Sequence, residues 1–241
     1  MNEVISTIKE HRSNRNFIKG YKLSKLELDT ILDCAKQAPS WMNGQHYNII
    51  VVDDQTIKDR LFELSMRNPH IQTSSVFLIF CIDLTRHSLA SKKHSKNFDI
   101  EDNVDILINS TTDVSLAMQN AATVAESLGY GTVFCGGVRV IAEEIIEMLN
   151  IPKYSFPICG LSIGKLDEEL TTERVKPRFN AKVNVGYNSY PSSTLEDIDE
   201  YNETLEIFAE ARETKLWSQK FADVYEKNNS KTKEILKKQG F

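Results

Sequence analysis

Residues 11–17, HRSNRNF, place an imidazole and two guanidinium groups, His11, Arg12 and Arg15, within five residues, with the Ser13 hydroxyl among them. A second basic pair, Lys176 and Arg178, stands far downstream in the run VKPR. The chain as a whole is acidic, with a formal charge of -5. Cations gathered at two points of an acidic chain suggest a bound anion, and a phosphate is the simplest one. A plainer reading stays open, because charged side chains after a helix are commonly solvated or satisfy its last carbonyls. The run GYGTVFCGG at 129–137 is not a dinucleotide fingerprint, since its glycines lie before and after a strand with the wrong spacing. Gly136 and Gly137 are either turn glycines or positions where backbone N–H groups can approach a flat ligand.

Other chemistries find no support. There is no P-loop and no G-x-S-x-G elbow. Cys34, Cys81, Cys135 and Cys159 form no C-x-x-C pair and have no zinc-ligand spacing, so no metal site is expected. Three of them lie in apolar runs and are expected to be buried thiols, which fits a reducing, cytoplasmic setting. His46, His70, His87 and His94 have no nucleophile at motif spacing and are expected to be structural or surface residues.

The elements that must position these groups follow from local pattern. Val4, Ile5 and Ile8 give a first short helix one apolar face. Ser24 and Glu27 make a capping box for a second, which should end near Pro39. A polar turn, PSWMNGQ, precedes a strand over 47–52, and Asp54 can cap a third helix. Residues 75–83 are apolar on both faces and predict a buried strand. Residues 84–104 are polar and predict a surface excursion. A long helix over about 105–128 carries small residues inside and Gly129 at its end, then a strand runs into the glycine turn. A short helix over 142–149 and a strand over 156–165 follow. Residues 165–193 are polar and irregular. Beyond them Leu195, Ile198, Tyr201, Leu205 and Phe208 form one apolar stripe, which needs either its own core or a partner subunit to cover it. A last short helix ends near Lys238. Strands and helices alternate only partly, which predicts a mixed sheet with helices packed on it, in one α/β or α+β unit.

Apolar content of 41% and charged content of 26% over 241 residues are those of a globular protein with ample length for a core. The negative charge argues against nucleic acid as a partner. No apolar run approaches the roughly 20 residues that span a bilayer, and the amphipathic N-terminus lacks a signal-peptide core, so no membrane partner is expected.

Several runs taken together resemble the FMN-dependent nitroreductase superfamily, and within it the NADPH-preferring flavin reductase and nitroreductase branch of group A type. They are HRSNRNF at 11–17, APSWMNGQ at 38–45, FCIDLTRH at 80–87, AMQNAATVAESLGYGTVFCGGVR at 117–139, FPICGLSIGK at 156–165, VKPR at 175–178 and ARETKLWSQK at 211–220. They occur in family order and span essentially the whole chain. The resemblance implies a single α+β domain over 1–241, with a mixed central sheet flanked by helices, in an intertwined homodimer whose 194–241 extension wraps the partner. It implies FMN as cofactor and NADPH as electron donor. Nitroaromatics, quinones or free flavin would be the small-molecule acceptors, in two half-reactions. Within the family pattern His11, Arg12 and Ser13 match the hold on the phosphate and ribityl chain, and Arg15 the position beside the flavin pyrimidine edge. Lys176 and Arg178 match a phosphate clamp. Pro39, Ser40, Trp41 and Gln45 match a loop given to the site by the other subunit. Gly136 and Gly137 match the backbone that reaches flavin N5. Arg212, with Lys215 as second choice, matches a basic residue that binds the 2′-phosphate of NADPH, although an exposed cation on a charged helix is an equal alternative. No side-chain acid or base is implied, because the hydride passes between cofactors.

Three departures bear on acceptor choice more than on cofactor choice. MRNPH at 66–70 lacks a Gly-Gln found in some relatives, with Asn68 or Arg67 as its substitute. Trp41 stands in a loop that is elsewhere serine-rich, and Val140 replaces a polar residue. The competing functions are a reductase preferring NADH or serving mainly free FMN, a flavin-binding protein without turnover, and a structural dimer.

Overall fold

The computed structural model describes residues 2–65, 68–171, 174–208, 215–227 and 230–241. In chain order the elements are α1 (Glu3–Lys9), α2 (Lys25–Lys36), β1 (Tyr47–Val52), α3 (Gln55–Leu64), α4 (Pro69–Thr73), β2 (Val76–Asp83), α5 (Thr85–Lys93), α6 (Val104–Ser127), β3 (Gly131–Cys135), α7 (Ala142–Met148), β4 (Ser155–Gly164), α8 (Ala181–Asn184), α9 (Leu195–Phe208), α10 (Trp217–Glu226) and α11 (Thr232–Lys238). They form two compact units, residues 1–173 with 231–241, and residues 174–230.

The first unit is α+β, built on a sheet of order β1-β2-β4-β3. All three ladders are antiparallel. The expected mixing of strand directions is confined, among the described residues, to an isolated parallel bridge from Ser13 to Thr132. β2 sits inside the sheet and all eight of its residues are buried, which is why its sequence carries no polar alternation. One face packs Phe80, Leu78 and Phe156 against Ile31 and Ala35 of α2 and Ala117, Ala121 and Ala125 of α6. The small residues of α6 let that helix lie close to both α2 and the sheet. The other face packs Phe77 and Ile79 against Leu61 of α3, Ile71 of α4 and Ile145 of α7. Ile235 and Phe241 join the first face, so the end of the chain belongs to this unit.

Local signals account for most boundaries. Ser24 and Glu27 form the capping box of α2, Asp54 caps α3 at Ile57 N, and Gly129 follows α6 with φ +81°. The surface excursion expected over 84–104 is corrected: it contains α5, followed by Phe98 and Ile100 packed on the core. That helix has no side-chain cap and no buried residue, so neither signal that marks a helix in sequence was there.

In the second unit α9 is capped reciprocally by Thr194 and Asp197 and packs against α10. No helix among the described residues is long and apolar enough to cross a membrane.

Candidate functional site

The basic segment is laid along the open edge of β3. After α1 the chain makes the Ser13–Thr132 bridge, the Asn14 N–H donates to Thr132 O at 2.8 Å, and Phe17 bridges Leu166. These bonds fix the backbone of 13–17 and so the origin of each basic side chain. The His11 ring is pinned through Nδ1 to Glu126 Oε1 at 2.8 Å, near the C-terminus of α6, and Glu126 also accepts from the Thr132 hydroxyl. Arg12 donates to Glu10 O at 3.4 Å, the carbonyl just past α1, which is the contact the plainer reading expected. That contact leaves its Nε buried without a hydrogen-bond partner. Arg12 lines a cavity of about 210 Å³ with Glu10, Asn14, Glu126 and Tyr130. Arg15 donates to Ser13 O at 3.1 Å. β3 therefore anchors the backbone at Ser13 and Asn14, and His11, Arg12 and Arg15 flank that anchor.

The other end of β3 leads straight into a tight 3-10 turn, Gly136–Arg139. Neither Gly136 nor Gly137 has a positive φ, so the backbone does not demand glycine at either position. A Cβ on Gly137 would stand 3.6 Å from Cys135 Sγ and 3.7 Å from Asn68 Nδ2, which is ordinary contact. One on Gly136 would meet only the flexible end of Arg139, at 3.3 Å and beyond. Gly160 differs, because a Cβ there would collide with the buried ring of Phe77. The two turn glycines thus have no internal reason to lack side chains, and Gly136 is exposed. Asn68 reaches this turn and is held by donating to Ser65 O at 2.6 Å; Arg67 lies outside the described residues.

The loop with Pro39, Ser40, Trp41 and Gln45 is anchored elsewhere. Asp113, buried in α6, accepts from Trp41 N at 2.9 Å, from His46 N at 3.3 Å and from His46 Nδ1 at 2.7 Å. Gln45 N donates to Ser40 Oγ at 3.1 Å, and Arg86 donates to Gln45 O and Tyr47 O at 2.7 and 2.9 Å. Between these pins Met42, Asn43 and Gln45 all have positive φ, a strained backbone that persists only because its surroundings over-determine it. His87 stacks on His46 at 4.2 Å; burial, and then the neighbouring His46, lower its pKa. Asp113 and Glu126 lie more than three turns apart on α6, roughly 20 Å along its axis. Within one chain the loop and the basic segment are thus fastened to different parts of that helix.

In the second unit Arg178 donates to Lys176 O at 2.6 Å. Lys215 is paired with Asp223 at 2.5 Å, and this hydrogen bond lowers the Asp223 pKa. Arg212 lies outside the described residues. Three of the four thiols are ill suited to chemistry, because burial raises the pKa of Cys135 and Cys159 and pushes Cys81 up to about 12.

Sequence reasoning missed Asp113 and Arg86. An acidic residue on the small-residue face of a buried helix was the signal for the first. For Arg86 nothing local marks a side chain that reaches back 41 positions to cap a loop.

The model of the nitroreductase family matches residues 8–165, and that of the nitroreductase C-terminal domain matches 176–241. The FMN reductase [NAD(P)H] of Bacillus subtilis is 34% identical, with all of this chain and 98% of that protein covered. The solved structure of the hypothetical oxidoreductase YcnD from Bacillus subtilis superposes with a TM-score of 0.92 at 34% identity, covering 100% and 98% of the two chains. The NADPH:FMN oxidoreductase from Vibrio harveyi, solved in complex with NAD+, has a TM-score of 0.89 at 27% identity, covering 99% and 98%. The chain belongs to the nitroreductase family, a family of oxidoreductases, in its NAD(P)H-using flavin-reductase branch.

Proposed function

We propose that the protein is an FMN-dependent NADPH oxidoreductase that works as a homodimer and reduces nitroaromatics, quinones or free flavin. The observation that carries this reading is the pair Gly136–Gly137, two side-chain-free positions that neither φ nor packing requires, at the end of the strand along which Arg12 and Arg15 are laid. A flat, anionic cofactor fits both features. The orphaned Nε of Arg12 fits as well, since a buried N–H without an acceptor costs about 1–3 kcal/mol and an anion would relieve it.

FMN, when bound, would supply the redox chemistry that couples oxidation of NADPH to two-electron reduction of the acceptor. The backbone N–H groups of Gly136 and Gly137 would hold the ring system, and Asn68 would take the place of the family Gln beside it. Arg15 would supply a fixed positive charge where reduction adds negative charge, and a preorganised cation needs no reorganisation at that moment. His11, Arg12 and Ser13 would hold the cofactor's polar tail, and Lys176 and Arg178 its phosphate. Arg212, or Lys215, would bind the 2′-phosphate of NADPH. The separate anchoring of the Pro39–Gln45 loop supports a second copy of the chain as the source of that loop, with Trp41 narrowing the space left for acceptors.

The test is anaerobic mixing of the FMN-loaded protein with NADPH, followed by flavin absorbance. Rapid bleaching, with recovery on adding a nitroaromatic or a quinone, is expected. A flavin that stays oxidised with both NADPH and NADH would overturn the reading in favour of binding without turnover.

A further inference from the structure

Lys176 and Arg178 lie in a stretch that is neither helix nor strand, so no backbone ladder fixes where their side chains begin. The fixing comes from α9 and α10. The Tyr201 hydroxyl donates to Pro177 O, between the two cations, at 3.0 Å. Phe179, next in sequence, stacks on the Tyr201 ring at 3.8 Å and 24°. Trp217 closes the cluster edge-on, 5.0 Å from Phe179 and 5.7 Å from Tyr201. Trp217 is itself held, because Asn202 on α9 exchanges two hydrogen bonds with Ser218, at 2.9 and 3.1 Å. Beyond the stretch, Lys182 bonds Asp197 and Glu200 of α9 at 2.9 and 3.2 Å, and this keeps the Asp197 carboxyl below its ordinary range.

One tyrosine therefore holds the chain on both sides of Arg178, through the Pro177 carbonyl before it and the Phe179 ring after it. Its ring could be a phenylalanine for all that packing requires. Its hydroxyl serves the Pro177 carbonyl and hence the orientation of the peptide plane from which Arg178 departs. Long cationic side chains bind an anion more tightly when their backbone is ordered beforehand, because that ordering entropy is not lost on binding.

We propose that Tyr201 is a positioning residue for Lys176 and Arg178, with Phe179 and Trp217 completing the mount, and that it sets the protein's grip on the phosphate monoester of its ligand. The inference rests on the reading that these two cations hold the FMN phosphate. The experiment separates the two. FMN and riboflavin, which has the same ring system and no phosphate, are titrated into the flavin-free full-length protein by fluorescence quenching. Parent, Lys176→Ala, Arg178→Ala and Tyr201→Phe are compared. Both alanine variants should weaken FMN and leave riboflavin unchanged. Tyr201→Phe should weaken FMN about three- to tenfold, the scale of one hydrogen bond, and leave riboflavin within about twofold. Tyr201→Phe binding FMN like the parent, or losing both ligands alike, overturns the positioning role while the phosphate reading stands. Alanine variants that keep the parent's preference for FMN over riboflavin overturn both.

Discussion

Gly137→Ala separates a glycine kept for the fold from one kept for a ligand. The residue has no positive φ, and the new methyl would make ordinary contacts at 3.6 and 3.7 Å with Cys135 and Asn68. The substitution removes freedom from the unfolded chain without straining the native one, a gain of about 0.4–1 kcal/mol. For a chain of this length that raises Tm by roughly 1–4 °C. A ligand packed against the same backbone meets one extra methyl, and overfilling a packed contact costs about 1–3 kcal/mol, or roughly a 5- to 150-fold loss of affinity. Stability and binding should thus move in opposite directions. Tm is measured on flavin-free protein, since bound FMN would itself stabilise the native state. FMN affinity is measured by fluorescence titration. A flavin-free variant melting several degrees below the parent would show that the fold needs the glycine. Unchanged FMN affinity would show that the backbone there does not face the cofactor.

Asp113→Ala leaves three donors around a buried position without their acceptor and should cost about 2–4 kcal/mol, seen as a fall in Tm of about 5–15 °C and faster proteolysis within residues 40–46. His87 has a pKa lowered by burial and by His46, so below the ordinary histidine value of about 6.5 the unfolded chain binds a proton that the folded chain refuses. Stability from this group is complete above that pH and is lost as pH falls; the drop in Tm between pH 7 and pH 5 should be smaller in His87→Gln than in the parent, and equal slopes would remove the assignment. Arg212→Ala should raise KM for NADPH far more than for NADH, and a parallel rise would show that this residue does not bind the 2′-phosphate.

The parts of the fold that were legible in the chain are those set by local chemistry. The capping box of α2, the Asp54 cap, the unbroken apolar run of β2 and the small-residue interior of α6 each lie within a few consecutive positions. α5 was illegible for the same reason in reverse, since its N-cap makes no side-chain bond and none of its residues is fully buried. Candidate site residues could be picked out by type, as two arginines, a lysine-arginine pair and paired glycines, although each also had a plainer reading as a solvated cation or a turn glycine. Their arrangement was not legible. Glu126 holds His11 from 115 residues away, and Asp113 holds His46 from 67. No local rule favours either pair over its competitors, because both depend on the sheet order that sets β3 beside the N-terminal segment and lays α6 across the adjoining face. The sequence by itself determined which chemistry the chain can carry; only the tertiary structure decided that Gly136 and Gly137 are free of internal demands, that Asp113 secures the strained loop, and that Tyr201 grips the backbone of the second basic pair, since each is a property of neighbours the fold alone brings together.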